Sequence, residues 1–165
     1  PPHQSSAASD VYKRQVLHNP KIPPNTGNVI RLAANIGFHL HLIEPLGFDL
    51  EVKQLRRAGL DYHDLSNVTR HPDYFTFVEH VAPNKVYAIT TKGKTRYTDV
   101  AFKPGDALLF GSETDGLPSQ VMNSVVESDR VLIPMRPNNR SLNLSNSVSI
   151  LAYEAWHQMG FDGAV

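Results

Sequence analysis

One stretch near the C-terminal end decides the interpretation of this chain: Arg140-Ser141-Leu142-Asn143-Leu144-Ser145-Asn146-Ser147. Five small polar side chains in these eight residues stand directly before the apolar segment 148–156. Because serine and asparagine compete for backbone hydrogen bonds, they favour turns and helix starts over helix interiors. The stretch therefore predicts a polar loop that ends in a long helix near Ser145, whose free N–H groups can hold a ligand. The simpler alternative is a helix cap with more polar residues than it needs.

Composition sets wide bounds on what the chain can be. Its 165 residues are enough for one domain with a real core, and its formal net charge of zero gives no general attraction for nucleic acid. No cysteine is present, which excludes disulfides and thiolate metal sites, and no apolar run approaches the ~20 residues that span a bilayer. Two local basic clusters are candidate phosphate contacts or ordinary solvated surface: Lys53, Arg56 and Arg57, and Lys92, Lys94 and Arg96.

The N-terminal segment differs from the rest of the chain. Residues 1–15 lack an initial methionine, contain a Ser/Ala-rich run and show no apolar periodicity or signal-type hydrophobic region. We expect residues 1–15 to be a disordered leader or a cloning artefact, and residues 16–165 to form a single domain.

From Val16 onward, short apolar runs alternate with helical patterns, which predicts an α/β fold with a mostly parallel sheet covered by helices on both faces. The predicted strands are 16–18, 38–44, 67–71, 85–90, 106–110 and 130–133. The predicted helices are 26 or 27 to 37, 51–57, 72–79, 118–125 and the long final helix. Ligands in such folds bind beyond the carboxyl ends of the strands.

Three such ends carry unusual chemistry: Ile89-Thr90-Thr91-Lys92-Gly93, Phe110-Gly111-Ser112-Glu113 with Gly116-Leu117-Pro118 after it, and Ile133-Pro134-Met135. The last two, the segment Pro23-Pro24-Asn25-Thr26-Gly27-Asn28 with Arg31 at a predicted helix start, and the stretch 140–147 are the four segments that carry the interpretation. Asparagine and threonine can cap a helix, a glycine at a strand end allows close approach to the backbone, and a proline leaves neighbouring carbonyls free. The Rossmann, Walker A, zinc-protease and nucleophile-elbow motifs are absent from the sequence.

Together the four segments resemble the SPOUT class of RNA 2′-O-methyltransferases, and in particular its small single-domain TrmL/YibK branch. The resemblance covers residues 16–165 and includes Leu55-Arg56-Arg57-Ala58-Gly59-Leu60-Asp61-Tyr62. It implies a C-terminal trefoil knot, a cytoplasmic homodimer without a membrane segment, and tRNA as partner. The implied reaction moves a methyl group from S-adenosyl-L-methionine to the ribose 2′-OH of the wobble cytidine or modified uridine of leucine tRNAs. S-adenosyl-L-homocysteine is the product, and no metal takes part.

The resemblance also implies roles for individual residues. The catalytic set is Arg31, Asn25, Glu113, Ser141 and Asn143. The cofactor set is Ile89, Gly111, Ile133, Met135, Ser141 and Leu142. The RNA-binding set is Arg56, Arg57, Lys92 and Tyr153, of which the tyrosine is equally suited to a subunit interface.

Arg31 is expected to activate the 2′-hydroxyl. Since the pKa of arginine exceeds ~12, Arg31 could instead orient the hydroxyl or bind a neighbouring phosphate. Glu113, Ser141 and Asn143 are expected to orient Arg31 or the ribose.

Two other functions stay open at this point. One is 2′-O-methylation of another tRNA position or of ribosomal RNA, and the other is a non-catalytic RNA-binding module with the same fold. The chain also departs from the branch at Ser112, where proline is frequent, and at Asp115, where arginine is frequent. The loss of a cation at Asp115 bears on RNA contact more than on the cofactor pocket.

Overall fold

The computed structural model describes residues 14–165, which contain one sheet of seven parallel strands. The strands are β1 (Arg14–His18), β2 (His39–Ile43), β3 (Val68–His71), β4 (Val86–Ile89), β5 (Thr95–Arg96), β6 (Ala107–Phe110) and β7 (Arg130–Leu132). Their order across the sheet is β3-β2-β1-β6-β4-β7-β5. Every strand pair is parallel, so the carboxyl ends of all seven strands meet at one edge.

Six α-helices lie in the described part of the chain, five between strands and one after the last strand. They are α1 (Pro23–Ile36), α2 (Val52–Arg57), α3 (Tyr62–Leu65), α4 (Tyr74–Val81), α5 (Ser119–Asn123) and α6 (Leu144–Gln158). Short 3-10 turns occupy 97–99 and 127–129. None of these helices combines the length and the apolar character that crossing a membrane requires.

The core has two parts because side chains along a strand alternate between the faces of the sheet. On one face, α1 and α6 pack against each other and cover residues such as Leu17 and Leu108. On the other face, Phe77 of α4 and Val121 of α5 cover Val16 and the neighbouring strand residues. The predicted parallel sheet with helices on both faces is therefore confirmed.

The boundaries differ from the sequence prediction in places. β1 begins at Arg14, so Arg14 and Gln15 belong to the sheet rather than to the expected leader; residues 1–13 of that leader lie outside the described residues. Helix α1 begins at Pro23, earlier than the predicted start, because proline suits the first turn of a helix, where its missing N–H is not needed. It ends as predicted at Gly37, which adopts a left-handed conformation with φ of 72°.

Two short elements were not predicted. β5 has two residues and α3 has four, which is too little sequence for a period to be recognised. The C-terminal knot stays a prediction.

Candidate active site

A cavity of about 570 Å³ opens at the carboxyl ends of β4, β6 and β7. The three loops that follow these strands form most of its wall, as the positions of Thr91, Glu113 and Ile133 show. The loop before α6 closes one side with residues 140–143, and Ile22 and Asn25 at the start of α1 close another. The polar stretch that decided the sequence interpretation thus lies against the three strand ends.

A chain of hydrogen bonds joins the separate parts of this wall. Asn143 Nδ2 donates to Asn25 Oδ1 at 3.0 Å, and Asn25 Nδ2 donates to Glu113 Oε2 at 3.2 Å. Asn143 is also the N-cap of α6, because its Oδ1 accepts from the backbone N–H of Asn146 at 3.3 Å and from Ser145 Oγ at 2.7 Å. Three loops that are far apart in sequence are therefore held in one arrangement.

Glu113 is the charged end of this chain. Its Oε1 accepts from the backbone N–H of Lys21 at 2.9 Å, and its Oε2 accepts from that of Ile22 at 2.8 Å. Partial burial by itself would raise the pKa of Glu113, but the hydrogen bonds from Lys21, from its own N–H, from Asn25 and from Ile22 outweigh it and hold the pKa below the ordinary value. Glu113 is consequently ionised at neutral pH and acts as an acceptor.

Gly111 lies directly after β6, where the sequence predicts that a ligand can approach the backbone closely. In the structure it is another part of the chain that approaches. A methyl group built on Gly111 would lie 2.3 Å from the carbonyl carbon of Gly116 and 2.5 Å from the nitrogen of Leu117. The space beside Gly111 is thus filled by the chain itself. The glycine lets the loop carrying Glu113 fold back on its own strand, where Ser112 and Gly116 exchange backbone hydrogen bonds.

The apolar part of the wall is made of Ile89, Ile133, Met135 and Leu142. Met135 is 38% exposed and Leu142 39% exposed, so neither side chain is buried in the core. Half-exposed apolar side chains on the wall of a cavity gain free energy when a ligand covers them. The wall therefore suits a ligand with a flat apolar part.

The structure places most of the predicted site residues together. Those that line the cavity are Asn25, Ile89, Lys92, Gly111, Glu113, Ile133, Met135, Ser141, Leu142 and Asn143. All six predicted cofactor residues are in this group.

Arg31 lies elsewhere. It lines a second cavity of about 290 Å³ between α1 and α2, and its Nη2 donates to Gly59 O at 2.9 Å and to Ala58 O at 3.4 Å. The carboxylate of Glu113 is bonded to Lys21, Ile22 and Asn25. Within one chain, Arg31 therefore lies away from Glu113: six residues of helix, about 9 Å of rise, separate Asn25 from Arg31. The expected role of Glu113, to orient Arg31 or the ribose, stays a prediction.

The other predicted RNA contacts lie outside the first cavity. Arg56 and Arg57 are exposed on α2, where the Arg56 guanidinium lies 5.8 Å from the ring centroid of Tyr62. Tyr153 is 46% exposed on α6 and lies near Trp156, with ring centroids 5.8 Å apart. These positions leave the assigned roles as predictions.

Two features of the site are not predicted by the sequence. The backbone N–H groups of Lys21 and Ile22 bind Glu113, and backbone donors leave no trace in residue type. Lys21 and Asp115 form an ion pair at the rim of the cavity. Asp115 therefore neutralises a neighbouring cation, in addition to standing where the branch often has arginine.

Comparisons with known proteins agree with this geometry. The SpoU rRNA methylase family matches residues 14–153. The tRNA (cytidine(34)-2′-O)-methyltransferase of Escherichia coli K12 is 53% identical over 150 residues, covering 91% of this chain and 96% of that protein. The enzyme of the same description from Burkholderia ambifaria is 55% identical, covering 90% and 96%.

Among solved structures, one concerned with 2′-OH methylation of C/U34 on tRNA superimposes with a TM-score of 0.80 at 41% identity, covering 90% of this chain and 96% of that one. AviRb from Streptomyces viridochromogenes, in complex with AdoMet, superimposes with a TM-score of 0.77 at 24% identity, covering 94% and 60%, and shares the fold.

The parallel sheet with a cavity at the ends of β4, β6 and β7, together with the family match over residues 14–153, places the chain among the methyltransferases of the SPOUT class. The chain belongs to the SpoU methylase family. The resemblance drawn from the four sequence segments is confirmed.

Proposed function

We propose that this protein transfers a methyl group from S-adenosyl-L-methionine to the ribose 2′-hydroxyl of nucleotide 34 of tRNA, with leucine tRNAs as substrates. The observation that carries the proposal is the hydrogen-bonded chain Asn143–Asn25–Glu113 on the wall of the cavity, which also has an apolar part. Relatives named for this reaction share 53–55% identity with the chain over nearly their whole length, which supports the choice of substrate.

The residues of the cavity fit the methyl donor. An adenine ring requires apolar walls, which Met135 and Leu142 offer, and backbone carbonyls beside its edge, which the segment 133–135 offers. The ionised carboxylate of Glu113 would add negative charge to the wall that a cationic donor would face. When bound, the donor supplies a methyl group already activated for attack by the positive charge on sulfur.

The polar residues then position the acceptor ribose. Ser141 is exposed on the cavity wall, and Asn143 is fixed by its two roles as helix cap and partner of Asn25. These groups would hold the acceptor hydroxyl near the bound donor, which would supply the methyl group and keep the electron pair of its C–S bond. The hydroxyl proton leaves to solvent or to a base, and S-adenosyl-L-homocysteine is released.

We assign Arg31 to binding the RNA beside the acceptor rather than to activating the hydroxyl, because its guanidinium lies on the second cavity and not on the first. We further propose that the protein works in the cytoplasm as a homodimer, in which a second copy completes the acceptor site. The knot belongs to the same proposal.

The test is transfer of tritiated methyl groups to an unmodified leucine tRNA transcript, followed by nucleoside mass spectrometry of the digested RNA. We expect label at nucleotide 34 and none on a transcript carrying 2′-deoxyribose at that position. Arg31→Ala should keep calorimetric binding of the methyl donor and lose turnover. Failure to label any tRNA, or label at a different nucleotide, contradicts the proposal.

Methylation of ribosomal RNA is the second candidate, favoured by the description of the matching family. The same digestion decides between them when ribosomal RNA replaces tRNA as acceptor.

A further inference from the structure

We propose that the second cavity, between α1 and α2, binds the base of an unpaired RNA nucleotide adjacent to the one that is methylated. That the ligand is RNA rests on the proposed function, whereas the position of the site rests on the geometry of the cavity. The residues that carry it are Phe48, Asp49, Gln54, Asn28 and Arg31.

The cavity has the chemistry of a nucleobase site. Phe48 and Leu50 supply apolar walls, and Asn28, Asp49 and Gln54 supply exposed hydrogen-bonding groups. A base requires this combination, because its faces are apolar and its edges carry donors and acceptors. Phe48 is half-buried in the cavity wall.

Arg31 is held at the edge of this cavity by main-chain groups. Its Nη2 donates to the carbonyls at the C-terminal end of α2, Ala58 and Gly59. Gly59 allows this approach, since a methyl group there would lie 2.8 Å from Arg31 Nη2. The remaining guanidinium N–H groups can bind a phosphate, and Arg56 and Arg57 add positive charge on the neighbouring part of α2.

The two cavities are adjacent. Ile22 and Asn25 line the first, whereas Pro23 and Pro24, in the same helical turn, line the second. The two cavities therefore lie on different sides of the first turn of α1. A single strand of RNA that places its acceptor ribose at Asn25 has a neighbouring nucleotide beside the second cavity.

The experiment is a double-mutant cycle on RNA binding. Wild-type protein and Phe48→Ala are titrated with an anticodon stem-loop RNA and with stem-loops made abasic at the nucleotide on either side of the acceptor. Loss of base stacking should weaken wild-type binding at least about five-fold at one of the two positions. Phe48→Ala should bind the intact RNA as weakly as wild-type protein binds the abasic RNA. Its affinity should fall no further when the RNA is abasic. Phe75→Ala, which truncates an exposed aromatic side chain of α4, is the matched control and should behave as wild type.

Gln54→Trp provides a second variant at an exposed position, in case Phe48→Ala does not fold. Its indole should fill the cavity and abolish the difference between intact and abasic RNA. If the losses of binding free energy from the protein change and the RNA change are additive, the proposed base site is overturned. Methylation of the stem-loop by wild-type protein would in that case still support the proposed function. Coupling in the binding assay without any methyl transfer leaves the base site standing and overturns the function. A stem-loop that does not bind wild-type protein contradicts both.

Discussion

Glu113 connects the loop after β6 to the start of α1, and its charge state decides how firmly the two are joined. Three N–H groups, from Lys21, Ile22 and Asn25, converge on its carboxylate. A carboxylate accepts all three without needing a donor of its own. Its lowered pKa records that the folded state prefers the ionised form.

Glu113→Gln should therefore destabilise the protein by about 1–2 kcal/mol at pH 7, because the amide keeps only one accepting oxygen and its NH2 group faces an N–H donor that then has no acceptor. The Glu113 pKa is lower in the folded state, so its contribution is present above the unfolded-state pKa and is lost as the pH falls through the folded-state pKa. Urea unfolding at pH 7 and pH 3 should show the difference between variant and wild type shrinking at the lower pH. Glu127→Gln, which removes a surface partner of Lys94, is the control and should cost little at either pH. An equal deficit at both pH values for Glu113→Gln would contradict this account.

Asn143 serves two purposes that substitution can separate. Asn143→Ala removes the N-cap of α6 and should cost about 1 kcal/mol in thermal or urea unfolding. Asn143→Ser keeps a capping oxygen and should restore most of that stability, but it has no amide to donate to Asn25. We expect methyl transfer to fall in both variants. Full activity in Asn143→Ser would show that the contact with Asn25 is dispensable.

At the scale of elements, the long periodic segments were predicted well and the short ones poorly. The end of α1 at Gly37 and the position of β6 follow from local signals, namely a left-handed glycine and a continuous apolar run. β5 forms because it pairs with β7, and a segment of two residues carries no sequence pattern that predicts this pairing. The starts of α1 and α4 differ from the prediction, because Pro23 fits the first turn of α1 and the side chain of Asp73 caps α4 by accepting from the backbone N–H of Thr76.

The loop after β6 provides the prediction at this scale. Gly111→Ala should displace residues 116–117 and cost about 3 kcal/mol, since the added methyl group meets backbone rather than a flexible side chain. Calorimetry should show weaker binding of S-adenosyl-L-methionine. The matched control is Gly27→Ala, where the nearest atom is Leu60 Cδ1 at 4.0 Å, and in helix α1 this change should be neutral or stabilising. Unchanged stability in Gly111→Ala would mean that the loop adjusts freely.

For the whole molecule, a buried cluster of histidines links stability to pH. Burial, followed by the neighbouring charges of His39, His71 and Arg14, lowers the pKa of His41 to about 3. His41 Nδ1 lies 2.8 Å from His71 Nε2, and both rings pack against Phe77 beneath α4. The pKa of His71 is also lowered, by burial and by His80 and His39. The folded protein thus holds His41 neutral where the unfolded chain would protonate it.

Stability should consequently decline as the pH falls below about 6.5, because the unfolded state binds the extra proton. Between pH 6.5 and pH 5, His41 alone accounts for a loss of about 2 kcal/mol. Urea midpoints measured across this range should move to lower concentrations, and His41→Phe should flatten the profile. If the urea midpoint of His41→Phe falls with pH as steeply as that of wild type, groups other than His41 cause the loss of stability.

The sequence by itself determined the α/β class, the approximate strands, the family and the residues that line the main cavity, because hydrophobic period and motif order are local properties. Tertiary structure alone decided which of those residues touch. It joined Asn143 to Asn25 across 118 residues of chain and Asn25 to Glu113 across 88, and it paired Lys21 with Asp115. It also placed Arg31 on a separate cavity against the carbonyl of Gly59. Contacts of that kind depend on how the loops after separate strands converge at one edge of the sheet, which no single segment of sequence encodes.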